Sequence, residues 1–185
     1  KDGKYIITDL NGDGEISDDD RTYVGDAQPD LTFGWQNNFT WKNWDFSFFF
    51  RGTIGNKVLN NPRAAYANNT YLIGTNALDD ELTYTMKESS RVCSYYLENG
   101  SFIRLDNLAL GYTFDTKKIN WLDKARLYFA AQNLFVITGY KGLDPEVELF
   151  RGESSDTDAG LSPGIEPRQF FPKARTFTLG VNLTF

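Results

Sequence analysis

Arg175-Thr-Phe-Thr-Leu-Gly-Val-Asn-Leu-Thr-Phe185 decides how the rest of the chain is read. Phe177, Leu179, Val181, Leu183 and Phe185 fall on one face of an extended strand, and Thr176, Thr178, Gly180, Asn182 and Thr184 on the other. Side chains alternate across a strand, so one face is apolar and the other small and polar. An outer-membrane β-barrel needs such a strand, with lipid outside and a polar lumen inside. A soluble β-domain can also end on an amphipathic strand, and the remaining sequence has to separate the two.

Four more alternating segments lie upstream. Residues 31–54 read as a β-hairpin: Phe33, Trp35, Phe39 and Trp41, then Phe46, Phe48, Phe50 and Ile54, share an apolar face around a tight turn at Lys42-Asn43. Asn37 interrupts the apolar face, and Phe49 interrupts the polar one. Residues 101–137 read as a second hairpin, with Leu108, Leu110, Tyr112 and Phe114, then Leu127, Phe129, Ala131, Phe135 and Ile137, facing outward. Residues 174–185 form the fifth, closing strand. Between these elements lie a loop at residues 1–30 and long polar stretches at 55–100 and 138–173; Ala77–Lys87 has room for a short helix.

The connections therefore alternate short and long, as in barrels with short periplasmic turns and long extracellular loops. Structureless loops of this length count against a compact soluble domain. Trp41, Trp44, Tyr112, Phe114 and Trp121 gather beside the short turns, where half-wet aromatic rings suit a membrane interface. The expected fold is all-β: the last five strands of a large antiparallel transmembrane barrel. If Phe185 lies at the periplasmic side, counting strands back places residues 1–30 outside the cell. Five strands cannot close a barrel, which takes about eight, and open edges are not tolerated in lipid. The partner strands are expected from an amino-terminal part of the same polypeptide.

Composition narrows the function. No apolar run approaches the roughly 18 residues of a membrane-spanning helix. A net charge of −6 with no basic patch argues against nucleic acid. The chain has no His, hence neither the commonest general base nor the usual zinc ligand. Cys93 is the sole cysteine, so an internal disulfide is impossible, and it reads as an ordinary loop residue. Lys1-Asp-Gly-Lys4 is no export signal, which again points to a longer precursor.

One segment carries metal chemistry. Asp9-Leu-Asn-Gly-Asp-Gly-Glu-Ile-Ser-Asp-Asp-Asp20 fits a calcium-binding loop. Side-chain oxygens of Asp9, Asn11, Asp13, Ser17 and Asp20 stand at positions one, three, five, nine and twelve, with the Glu15 carbonyl at position seven. Gly14 stands at the sharp turn. Calcium takes about six to eight oxygens, so it suits this set. Asp20 replaces the longer glutamate usual at position twelve, and Tyr5-Ile-Ile-Thr8 reads as a strand where sensor loops have a helix. The expected role is structural rather than switching; the bland alternative is an acidic turn that binds no metal.

The chain resembles the carboxyl-terminal part of SusC/RagA-type TonB-dependent outer-membrane transporters. The resemblance rests on Asp9–Ile16 with Asp20–Gly25, Asn99–Tyr112, Ala131–Phe135 with Gly142–Val147, and Phe171–Phe177 running to Phe185. It implies a large plugged barrel in the outer membrane of a Gram-negative bacterium. That barrel would import oligosaccharides or peptides, be driven through TonB, and be lidded by a SusD-type surface lipoprotein. It implies too that the plug and the TonB-contacting segment lie outside these residues. The loop aromatics Tyr66, Tyr71 and Phe150 can stack on sugar rings or simply pin their loops, and no substrate residue is assigned. Two rivals stay open. One is a soluble cell-surface β-sandwich stabilised by calcium; the other is a glycosidase using a pair of carboxylates, although no activated pair stands out.

Overall fold

The computed structural model describes residues 2–69, 74, 76–89, 91–117, 119–147, 163–168 and 171–185. Their contacts divide the chain into two compact units.

The first unit comprises Pro29–Gly55, Gly100–Gly139 and Phe171–Phe185. It is one antiparallel sheet of β1 (Leu31–Trp41), β2 (Trp44–Ile54), β5 (Phe102–Phe114), β6 (Lys124–Thr138) and β7 (Thr176–Thr184), in the order β1-β2-β5-β6-β7. Every neighbour in the sheet follows in chain order among these five strands. β1 and β2 pair from Leu31↔Ile54 to Trp41↔Trp44, closed by a turn in which Lys42 takes a φ of 53°. The connection after β5 is tied by Thr116 Oγ1 donating to the Asp123 carbonyl at 2.7 Å and by Asp123 N–H donating to the Thr184 carbonyl at 2.8 Å. Both short turns stand at one end of the sheet.

The pairing puts the apolar residues of all five strands on one face. Phe48 faces Leu108, Leu110 faces Phe129, and Phe129 faces Leu179. On this face Trp35, Phe48, Phe50, Phe39 and Phe46 form a run of aromatic contacts at centroid distances of 5.2–6.2 Å. Nothing among the described residues of this unit covers it: Leu179 is 74% exposed and Phe177 60%. A β-sandwich would set a second sheet there; this unit has a single layer.

The second unit comprises Lys1–Gln28, Asn56–Asn99 and Tyr140–Phe170. The sequence shows these as loops, and the structure gives them short elements and a core. β3 (Lys57–Leu59) pairs with β4 (Leu97–Asn99), and Leu59 bridges to Ile165. Helix α1 (Asn61–Tyr66) starts where the Asn60 side chain accepts from Arg63 N–H at 3.0 Å, with Pro62 in its first turn, where a missing N–H costs nothing. Helix α2 (Glu81–Thr85) falls inside the expected Ala77–Lys87 stretch and begins only after Asp80, whose carboxylate caps Leu82 N–H at 2.9 Å. Val58, Ala64, Ala67 and Tyr96 fill the core beside buried Asn60, Asn68 and Glu166. No helix among the described residues is long and apolar enough to cross a membrane.

One local expectation is corrected. Tyr5–Thr8 forms no strand. Tyr5 spends its hydrogen bonds on side chains instead: its N–H donates to Glu88 at 3.0 Å, and its hydroxyl lies 2.8 Å from that of Tyr96.

Candidate functional site

The acidic loop is wound by its own side chains. Asp9 accepts from Gly12 N–H at 2.6 Å and Gly14 N–H at 2.9 Å; Asn11 accepts from Asp13 N–H at 3.0 Å, and Asp13 from Glu15 N–H at 2.8 Å. Asp20 closes the loop on itself, accepting from Leu10 N–H at 2.7 Å and Ser17 N–H at 2.8 Å. Those N–H groups, Ser17 first, hold the Asp20 carboxyl below the usual carboxylate range. Gly12 and Gly14 take φ of 77° and 84°, the left-handed turns that glycine makes without strain. The structure thus brings Asp9, Asn11, Asp13, Ser17 and Asp20 into one coil with the Glu15 backbone. It does not gather their carboxylates tightly: no group of three or more Asp, Glu, His or Cys among the described residues stands ready to hold an ion. Any ion here would draw on the Asn11 and Ser17 oxygens and the Glu15 carbonyl as well.

Of the loop aromatics, Tyr66 ends α1 half-buried, while Tyr71 and Phe150 lie outside the described residues. The polar anchors of the loop unit were not singled out in the sequence. Glu166 is fully buried and accepts from the Tyr140 hydroxyl at 2.7 Å and Leu143 N–H at 2.9 Å. Burial, then this hydrogen bond, pushes the Tyr140 hydroxyl well above its ordinary range. Arg63 donates to Asp80 at 2.8 Å and to Glu98 at 3.4 Å under the ring of Tyr95. The Arg63 guanidinium beside Asp80 holds that carboxyl below its usual range.

On the sheet, Trp44, Tyr112 and Phe114 beside the short turns meet one another, Trp121 meets Phe185, and Trp41 carries the Lys42 ammonium over its ring. Trp44 packs on Tyr112 at 4.8 Å, Tyr112 on Phe114 at 4.9 Å, and Trp121 stacks on Phe185 at 5.8 Å. The opposite face carries an ion pair invisible in the linear sequence: Arg126 Nε donates to Asp45 at 2.9 Å across the intervening β5. Gly111 is the residue it crosses, and a Cβ there would run into both partners. A glycine in an alternating strand was the available signal, but its meaning appears only once β2, β5 and β6 are in register.

No protein-family model matches the chain. It is 36% identical over 197 residues to TonB-dependent receptor P3 of Formosa agariphila, covering 99% of this chain and 19% of that protein. It is 30% identical over 194 residues to TonB-dependent receptor SusC of Bacteroides thetaiotaomicron, covering 97% of this chain and 17% of that one. The chain therefore spans about a fifth of the length of the relatives it matches. Among solved structures, it superposes on the RagAB peptide importer in its closed-closed state with a TM-score of 0.72 at 25% identity, covering 96% of this chain and 20% of that one. On a structure of the RagAB peptide transporter the TM-score is 0.68 at 26% identity, with 92% and 19% covered.

Proposed function

We propose that this chain, part of a SusC/RagA-type TonB-dependent receptor of the outer-membrane β-barrel class, is no enzyme and serves the import of glycans or peptides across the outer membrane. The single observation that carries this reading is the five-stranded sheet with one bare apolar face, matched in sequence and structure to such receptors over nearly its whole length. In the membrane that face meets lipid and the polar face lines the lumen. The free edges of β1 and β7 take partner strands from the remaining barrel, whose lumen holds a plug. A SusD-type surface lipoprotein is the expected companion outside the cell, and TonB the energy link through a segment beyond these residues. The relatives named SusC and RagAB support these partners by likeness alone.

Deleting the gene and following growth on single glycans and on peptides tests the reading. Loss of growth on one of them, restored by the full-length gene, is expected. Full-length protein that extracts into buffer without detergent would overturn it.

We propose further that the coil at Asp9–Asp20 takes one structural calcium ion through Asp9, Asn11, Asp13, Ser17, Asp20 and the Glu15 carbonyl. Support comes from the motif and from side chains already wound inward by backbone hydrogen bonds. Chelation of the full-length receptor should lower its melting temperature, and calcium should restore it. An unchanged melting curve means an acidic turn and nothing more.

A further inference from the structure

The polar face of the sheet is crossed by a line of paired residues: Asp45 on β2, Gly111 on β5, Tyr128 on β6 and Gly180 on β7. Tyr128 thus stands between two glycines, and the gaps they leave are filled differently. Over Gly111 lies Arg126, which donates to Asp45 at 2.9 Å; a Cβ built on Gly111 would run into both groups. Over Gly180 lies the Tyr128 ring itself, and a Cβ built there would run into the ring edge and its hydroxyl. The Arg126 guanidinium stands 5.3 Å from the centre of that ring. It therefore takes the space over Gly111 into which the ring would otherwise lean.

Alternation alone leaves the register of β7 open. Phe177, Leu179, Val181 and Leu183 share one face, and Thr176, Thr178, Gly180 and Asn182 the other. A slip by one residue would turn the apolar face inward, but a slip by two preserves both faces. The backbone does not resist a slip by two either, because every residue of the strand carries the same N–H and C=O groups. Asp123 N–H, which donates to the Thr184 carbonyl at 2.8 Å, would find the Asn182 carbonyl in the same place. Phe129, stacked on Phe177 at 6.2 Å, would meet another apolar residue. What such a slip does change is the residue beside Tyr128. Thr178 or Asn182 would replace Gly180, the only glycine of β7, and put a side chain where the ring lies. Overpacking of this kind disfavours a slipped pairing by about ten-fold or more.

We propose that Asp45, Arg126 and Tyr128 form a positioning relay by which β2 fixes the register of β7, although β5 and β6 stand between them. Asp45 holds Arg126 over Gly111, Arg126 keeps the Tyr128 ring from leaning back, and the ring admits β7 only with Gly180 beneath it. Without Asp45 the ring is free to rock toward β5, Gly180 is uncovered, and a slipped β7 meets no obstacle. Every member of the relay belongs to the sheet itself, so the device goes beyond the import reading and holds whatever the receptor carries. β7 also offers its other edge to a strand of the remaining barrel, and an error in its register would pass to that pair.

The test uses full-length receptor in isolated outer membranes, in a Cys93→Ser background, with register read by oxidative cross-linking of cysteine pairs. Ala130→Cys with Thr178→Cys reports the observed register. Ala130→Cys with Thr176→Cys, and Gln132→Cys with Thr178→Cys, report slips by two in either direction. In the observed register those last two pairs are diagonal neighbours, about 7–8 Å apart and too far for a disulfide. With Asp45 and Tyr128 intact, the observed pair should exceed the slipped pairs by about ten-fold or more. Tyr128→Ala and Asp45→Ala should each raise the slipped share several-fold, and Tyr128→Phe, which keeps the ring, should not. Intact-receptor cross-linking in Tyr128→Ala overturns the inference, and so does the same result in Asp45→Ala. Heat-modifiable gel mobility checks folding. If Asp45→Ala does not fold, Asp45→Asn takes its place under the same criterion. If Tyr128→Ala does not fold, Tyr128→Gly with Gly180→Tyr returns the ring from the other strand. Recovery of the observed cross-link in that exchange supports the inference, and no recovery overturns it.

Discussion

The two units sort their side chains in opposite ways. In the sheet, large apolar residues such as Leu179 are bare while Arg126 and Asp45 are satisfied by each other. In the loop unit, Glu166 and Asn68 are fully buried and the core holds small residues such as Ala64 and Ala67. The loop unit follows the rule for water, in which buried polar groups must find partners. The sheet follows the rule for lipid, in which the backbone is satisfied by the ladder and the outward face is apolar. A single chain thus carries the imprint of two solvents, and the boundary between them falls where strands give way to connections.

The sharpest way to break that contrast is a charge on the bare face. Leu179→Arg should cost the full-length barrel about 2–4 kcal/mol if that position lies near the bilayer centre. Thr40→Lys, on the polar face and paired with Asp45, should stay within about 0.5 kcal/mol. Folding into liposomes, scored by heat-modifiable gel mobility across a urea series, reads both. Equal effects would mean that the two faces do not meet different solvents.

Within the loop unit, Glu166→Ala leaves the Tyr140 hydroxyl and Leu143 N–H without their acceptor, at a cost of about 1–3 kcal/mol. Hydrogen exchange should speed up at residues 140–144 and not in β5 or β6. On the sheet, Gly111→Ala forces Arg126 and Asp45 apart and should cost about 1–2 kcal/mol. Adding Asp45→Ala, which removes one of the obstructing groups, should recover part of that loss, a non-additivity that thermal melts can measure.

The smallest expected effect is on pH. Asp80 has its folded pKa depressed, chiefly by Arg63, so its contribution is present above the unfolded carboxylate value of about 3.9 and is lost as pH falls through the folded value. Protease resistance of α1 and α2 should therefore hold from pH 7 to about 4 and decline below. Asp80→Asn should flatten that acid limb.

The strands were legible because a period of two survives in the sequence whatever the neighbours do. Phe177 to Phe185 and Phe46 to Phe50 declare their face alone. The rows that run across the polar face of the sheet were not legible, because Gln36, Phe49, Asn107, Gln132 and Thr176 become neighbours only through pairing. The register also shifts at two irregularities, between Phe49 and Phe50 and between Leu105 and Asn107. The loop unit hid its order for another reason. Elements of three to six residues, such as Lys57–Leu59 and Asn61–Tyr66, are too short to show a period, and their placement depends on partners distant in the chain, as Tyr5 depends on Glu88 and Tyr96. The calcium-type motif stood out at once as a spacing, yet spacing did not reveal that its carboxylates are already engaged by backbone N–H groups.

The ion pair over Gly111 also bears on how such a wall can change over time. Asp45 and Arg126 belong to different hairpins, and the residue that gives them clearance stands on the same hairpin as Arg126. A hairpin transplanted from a relative would bring its half of this contact and leave the other behind. Hairpins look like interchangeable parts along the sequence, but across the sheet they are spliced, and recombination between relatives should succeed at the long connections only when both hairpins travel together.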